Sequence, residues 1–125
     1  MKLRMRGNSM RLRLLRAEVD ALARGERVVE SVGFAPGLRV EYAIAADPDS
    51  AQVRATLDGA CVTVFVPVAM AQQWAGSEVV GIEHDQAIDA GNMLQILIEK
   101  DFACLQPREG EEDNGTFINP KRALP

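Results

Sequence analysis

The first fifteen residues, MKLRMRGNSMRLRLL, constrain the architecture of this chain more than any other stretch. Leu3 and Met5 alternate with Lys2, Arg4 and Arg6, the period of a half-buried strand. Gly7-Asn8-Ser9 supplies turn residues, because Gly and Asn tolerate positive φ. Met10, Leu12 and Leu14 then alternate with Arg11 and Arg13. The pattern predicts a hairpin with one apolar and one cationic face.

The remaining chain continues in short elements. Val19, Leu22 and Ala23 recur at helical spacing and Gly25 follows as a stop, which predicts a short helix over 16–24. Strands are expected over 27–34 and 38–46, separated by Ala35-Pro36-Gly37 and ended by Asp47-Pro48-Asp49-Ser50. Val53, Ala55 and Leu57 begin a weaker copy of the opening hairpin, with Gly59 at its turn and Val62, Val64 and Val66 as its second inward set. Pro67 opens a second helix, a position where its missing N–H has no helical partner. Met70, Ala71, Trp74 and Ala75 form the apolar side of that helix. A strand from Glu78 to about His84 and a turn at Asp89-Ala90-Gly91 come next. The nearly all-apolar run from Met93 to Ile98 reads as a central strand covered on both faces.

Adding 52 to a position maps one half onto the other without a gap: Gly7 onto Gly59, Leu12 onto Val64, Leu22 onto Trp74, Glu26 onto Glu78, Val28 onto Val80 and Ile44 onto Ile96. The shared order of hairpin, helix and strands carries this correspondence. The expected fold is α+β and mainly β: a small antiparallel β-barrel of about eight strands, with two short helices. It is built from two tandem ββαββ units, about 1–47 and 53–101, around a pseudo-twofold axis. A single domain over 1–104 suits the length of 125 residues. Residues 105–125 are expected to form an extended tail with an acidic run, Glu109 to Asp113. In that tail Phe117 and Ile118 are apolar residues that would anchor it on the barrel or dock into a partner.

The two halves act as controls for each other, since both should keep what the fold requires. They share the inward apolar residues, the turn glycine and the helix. They do not share the outer face of the hairpin, which is Lys2, Arg4, Arg6, Arg11 and Arg13 in one half. In the other it is Arg54, Thr56, Asp58, Thr63 and Phe65. Like charges on paired strands cost roughly a few tenths of a kcal/mol each when exposed. Three readings of the cationic face follow: a solvated face that protects an edge, a surface covered by the acidic tail, or a site for an external anion. Arginine favours bidentate carboxylate or phosphate contacts. A net charge of −4 argues against bulk nucleic-acid binding, and the face carries no aromatic platform for single strands.

Few residues nominate chemistry. His84 stands between Glu83 and Asp85, where a base or ligand role competes with that of a strand-end surface histidine. Lys100, Asp101 and Cys104 form a second candidate cluster, because a lysine can lower a thiol pKa. A small buried thiol is the blander reading. The sequence holds no Gly-rich phosphate loop, CxxC, HExxH or nucleophile elbow, so no cofactor or metal is expected. Two cysteines, Cys61 and Cys104, make no disulfide framework and read as reduced thiols. No apolar run reaches the length of a membrane helix.

Arg6-Gly7-Asn8-Ser9 with Arg11-Leu12-Arg13-Leu14, Glu99-Lys100-Asp101-Phe102 with Cys104-Leu105, and Asn119-Pro120 together resemble a family of short bacterial proteins known only as a domain of unknown function. The resemblance covers most of the chain. It implies a bacterial cytoplasmic setting and brings no activity, substrate or cofactor.

Function is therefore not legible directly. The favoured reading is a non-enzymatic binding module, monomer or homodimer, that uses Lys2, Arg4, Arg6, Arg11 and Arg13 for an anionic ligand or protein, with the acidic tail as a mask. One alternative is a small enzyme or thiol protein centred on Lys100, Asp101 and Cys104. Another, from fold analogy alone, is an AbrB-like nucleic-acid-binding barrel.

Overall fold

The computed structural model describes residues 1–102. Cys104 and the expected tail over 105–125 lie outside the described residues. In chain order the elements are β1 (Lys2–Arg6), β2 (Ser9–Leu14), α1 (Arg16–Ala23), β3 (Val28–Ala35), β4 (Leu38–Asp47), β5 (Arg54–Asp58), β6 (Cys61–Pro67), α2 (Val68–Ala75), β7 (Gly81–Asp89) and β8 (Asn92–Lys100). The alternating opening run forms the expected hairpin, with Leu3 opposite Leu12 and Met5 opposite Met10. Gly7 closes its turn at φ 58°, and Gly59 closes the matching turn at φ 59°, a region open to glycine at little cost.

The eight strands form two four-stranded sheets, ordered β1-β2-β8-β7 and β3-β4-β6-β5. Among the described residues no strand ladder joins the sheets, so their ladders do not close a barrel. The fold is also not purely antiparallel: β2 runs parallel to β8, and β4 parallel to β6. The cause is the helix inside each half. A helical connection carries the chain from one sheet to the other, so the two hairpins of one half enter different sheets. Each hairpin then meets a hairpin of the other half, parallel strand to parallel strand.

The matching of the halves is closer in register than in residue type, but it needs a gap. Between α1 and α2 the offset is 52, Arg16–Ala23 corresponding to Val68–Ala75. In the strands that follow it is 54. Val28 opposite Ile44 corresponds to Ile82 opposite Ile98, and the bulge at Gly33/Ala35 corresponds to that at Ala87/Asp89. The parallel pair Leu12–Ile98 then matches Val64–Ile44. Two residues are inserted in the connection 76–80, so Val28 pairs in role with Ile82 rather than Val80, and Ile44 with Ile98 rather than Ile96. This is also why β7 starts at Gly81 and leaves Val79 and Val80 exposed.

The core lies between the sheets and under the helices. Leu12, Leu14, Leu22, Ile44, Val64, Val66 and Ile98 are fully buried, each worth about 1.5–3 kcal/mol relative to exposure. Val19 and Leu22 of α1 and Ala71 and Trp74 of α2 close one end. Met70 and Ala75 pack against this core as partly buried residues. The hairpin turns lie at the opposite strand ends. β8 is central in its sheet, as expected, but only its inner face is fully covered: Ile96 and Ile98 are buried, while on the outer face Leu97 is half-buried and Met93 exposed.

Candidate functional site

The outer face of the first sheet carries the charges. Alternation puts Met10, Leu12 and Leu14 inward, so Arg11 and Arg13 point out with Lys2, Arg4 and Arg6. Strand register arranges this face in rows running from β1 to β7. One row is Lys2, Arg13, Glu99 and Gly81; the next is Arg4, Arg11, Leu97 and Glu83; the third is Arg6, Ser9, Gln95 and Asp85. All five predicted cations therefore share one surface. The second sheet has Thr56, Thr63, Ala43 and Val29 in the row that corresponds to Arg4, Arg11, Leu97 and Glu83.

Glu99 partly offsets the repulsion among the arginines. Its Oε1 lies 3.4 Å from Nε of Arg11 and 3.4 Å from Nε of Arg13. Sequence reading missed this counter-ion, because only the parallel pairing of β2 with β8 sets Glu99 beside Arg13. Among the described residues Arg4 and Arg6 make no ion pair, and neither do Glu83 and Asp85 at the far edge of the face. Arg4, Arg6, Arg11, Glu83, Asp85 and Gln95 line a shallow cleft of about 420 Å³.

Lys2 belongs to a different arrangement. Its Nζ is 3.7 Å from a carboxylate oxygen of Asp101, whose side chain is nearly buried. The matched positions in the other half are Arg54 and Asp47, and these also pair, at 3.3 Å. In both halves the contact ties the first strand of one hairpin to the end of another. Arg54 stacks over Phe65 as well, 4.2 Å from the ring centroid.

Of the Lys100–Asp101–Cys104 cluster, the described residues include Lys100 and Asp101. Lys100 donates to the Ser77 carbonyl at 2.7 Å and stands 5.6 Å from the Trp74 ring centroid. The Asp101 N–H donates to the Leu14 carbonyl at 2.8 Å. Cys104 lies outside the described residues. Lys100, Asp101 and Phe102 do border a cleft of about 740 Å³ together with Leu14, Leu15 and Val19. His84 is not at a strand end: it lies within β7, opposite Ile96, on the half-buried inner side. Among the described residues no three His, Cys, Asp or Glu side chains gather as a metal site. No helix among them is long and apolar enough to cross a membrane.

A further polar cluster was not anticipated. The α-ammonium of Met1 donates to Glu18 at 2.6 Å and to Glu30 at 3.1 Å, while the Tyr42 hydroxyl donates to the Met1 carbonyl at 3.3 Å. Burial alone would lower the pKa of this amine, but the hydrogen bonds and charges of Glu18 and Glu30 together raise it. Burial and the same two carboxylates push the Tyr42 hydroxyl up. Glu18 also accepts from the Leu15 N–H at 2.8 Å, which fixes the start of α1.

No curated protein and no solved structure matches the chain. Residues 1–121 match the profile of a family of unknown function, DUF7009, and the chain belongs to that family.

Proposed function

We propose that the protein is a non-catalytic binding module. Its β1–β2 hairpin engages acidic groups of a partner surface through Arg4, Arg6, Arg11 and Arg13, with Lys2 at the margin. The observation that carries this reading is the state of Arg4 and Arg6. They are exposed and have no ion pair among the described residues, although Arg4 sits directly opposite Arg11. We take the two halves as duplicates of one unit that enclose a barrel-like core. The sister hairpin folds without these cations, so folding does not ask for them. Arginine forks suit carboxylates. Glu83 and Asp85 on the same face work against a nucleic-acid backbone, which would be repelled there. Lys100 and Asp101 are held in structural contacts, which favours binding over thiol chemistry.

The acidic run Glu109–Asp113 is the intramolecular competitor. Its root, Phe102, follows Asp101, which lies beside Lys2 at one end of the hairpin. Seven to eleven further residues can span about 23–36 Å when extended, enough to reach Arg6.

The test is retention on immobilised polyglutamate at low salt. The variant Arg4→Glu, Arg11→Glu, Arg13→Glu is expected to elute well before the unaltered chain, and equal retention removes the face as a binding site. A chain ending at Leu105 is expected to elute later than full length. No difference there removes the competitor.

A further inference from the structure

We infer that the acidic surface recognised by this face is the same face of a second copy of the chain. The inference rests on the acidic-partner reading above and identifies that partner. Its basis is the row arrangement of the first sheet. Among the described residues, the cations without ion pairs, Arg4 and Arg6, lie on edge strand β1. The acids without ion pairs among the described residues, Glu83 and Asp85, lie on the opposite edge strand β7, in the same two rows. At about 4.8 Å per strand the two edges are about 14 Å apart, too far to satisfy each other within one copy. The second sheet has Val29 and Ser31 where the first has Glu83 and Asp85. Both the cations and the acids are therefore departures from the sister sheet.

Such a face is complementary to itself. A twofold axis parallel to the strands and lying between two facing copies turns each row end for end. Arg4 then meets the partner's Glu83, Arg6 meets the partner's Asp85 and Arg13 meets the partner's Glu99. Ser9 meets the partner's Gln95, and the Arg11 stem crosses the partner's Leu97. An axis across the strands would instead set β1 on β1, cation on cation. The first arrangement is the isologous contact of a C2 dimer, each pair occurring twice. The footprint is small. Four strands by three rows cover on the order of 400 Å² per copy, against about 800 Å² in a standard interface. The dimer is therefore weak and sensitive to salt, since its pairs are charged and rim-exposed.

The experiment is sedimentation velocity of the full-length chain over a concentration series. The unaltered chain is expected to dimerise at low salt and to dissociate at about 0.5 M salt, where the screening length falls to about 4 Å. Arg4→Glu with Arg6→Glu makes both edges acidic; Glu83→Lys with Asp85→Lys makes both edges basic. Each variant alone is expected to stay monomeric, and an equimolar mixture of the two is expected to form a heterodimer. These side chains are exposed, and circular dichroism checks that both variants fold. A monomeric unaltered chain at low salt, single variants that still dimerise, or a mixture that stays monomeric overturns the inference. A monomeric unaltered chain whose polyglutamate retention falls with Arg4→Glu, Arg6→Glu removes the second copy but leaves the acidic-partner reading standing. Unchanged retention removes both.

Discussion

Gln86 hydrogen-bonds Ala55 through both ends of its side-chain amide: the amide oxygen accepts from the Ala55 N–H at 2.7 Å, and the amide nitrogen donates to the Ala55 carbonyl at 3.0 Å. Gln86 is on β7, an edge of one sheet, and Ala55 on β5, an edge of the other. One side chain thus does at this seam what a pair of ladder bonds would do. The matched positions in the other half, Val32 and Leu3, cannot. Replacing Gln86 with Leu should cost about 1–3 kcal/mol, from two lost hydrogen bonds at roughly 0.5–1.5 kcal/mol each. Gln86→Glu keeps the acceptor and should fall between. Urea unfolding measures both, and a cost near zero for Gln86→Leu would show that the seam does not depend on this contact.

The amine cluster gives a pH dependence with a definite sign. The folded pKa of the Met1 amine is raised above its ordinary 8.0. Its stabilisation is therefore complete below that value and lost as pH climbs through the raised one. Tyr42, also raised, adds a loss in the same direction above about pH 10. Thermal midpoints of the chain starting at Met1 should fall from about pH 8 upward. Glu30→Gln, which removes one carboxylate, should flatten that fall. Midpoints that rise over the same range would contradict the assignment.

Glu99 holds Arg11 and Arg13 at once. Glu99→Gln keeps the shape and removes the charge, leaving the four arginines of the hairpin without a counter-ion among the described residues. Retention on polyglutamate should increase. Stability should change little, by about 1 kcal/mol or less, because these are half-exposed surface pairs. Decreased retention would show that Glu99 positions the arginines for the partner rather than competing with it.

The two matched ion pairs should differ in strength. Lys2 is 74% exposed and reaches Asp101 only at 3.7 Å, so Lys2→Ala should cost a few tenths of a kcal/mol. Arg54→Ala loses the closer pair and the Phe65 stack, about 1 kcal/mol together. Double-mutant cycles with Asp101 and Asp47 should give the larger coupling to Arg54. Equal couplings would mean that the shorter Arg54–Asp47 distance brings no stronger pair.

Trp74 is buried and its Nε1–H has no hydrogen-bond partner among the described residues. Trp74→Ala should cost about 3–5 kcal/mol through lost packing. Trp74→Phe should cost far less, because it also removes a buried unpaired donor worth about 1–3 kcal/mol. Equal costs would point to an indole N–H that is in fact satisfied.

Local chemistry made the elements legible from the residues alone. Alternation in Lys2–Leu14 gave the opening hairpin, Val19 and Leu22 the first helix, and Pro67 the start of the second. The cationic face followed from the same alternation. What alternation could not supply was the partner of each hairpin. Its period is the same whether Arg13 lies beside Glu99 or beside nothing, and parallel pairing between distant strands leaves no local mark. The barrel expectation assumed antiparallel neighbours throughout, and β2 beside β8 breaks that assumption. The elements line up at an offset of 52 through Ala75 and at 54 beyond it, a difference that lies in a connecting segment and leaves the strand pattern intact. The Met1, Glu18 and Glu30 cluster joins the residue before β1 to α1 and β3, which no spacing relates.

Since the central pair of one sheet is β2 with β8 and that of the other is β4 with β6, each sheet is whole only when strands of both halves have met. A nick in the segment joining β4 to β5 should therefore leave two pieces that are each unstructured yet recombine on mixing. Refolding should be slowed by closure of a loop nearly as long as the described chain. Strand β8, the last of the described strands to be made, would be the piece whose arrival completes the first sheet.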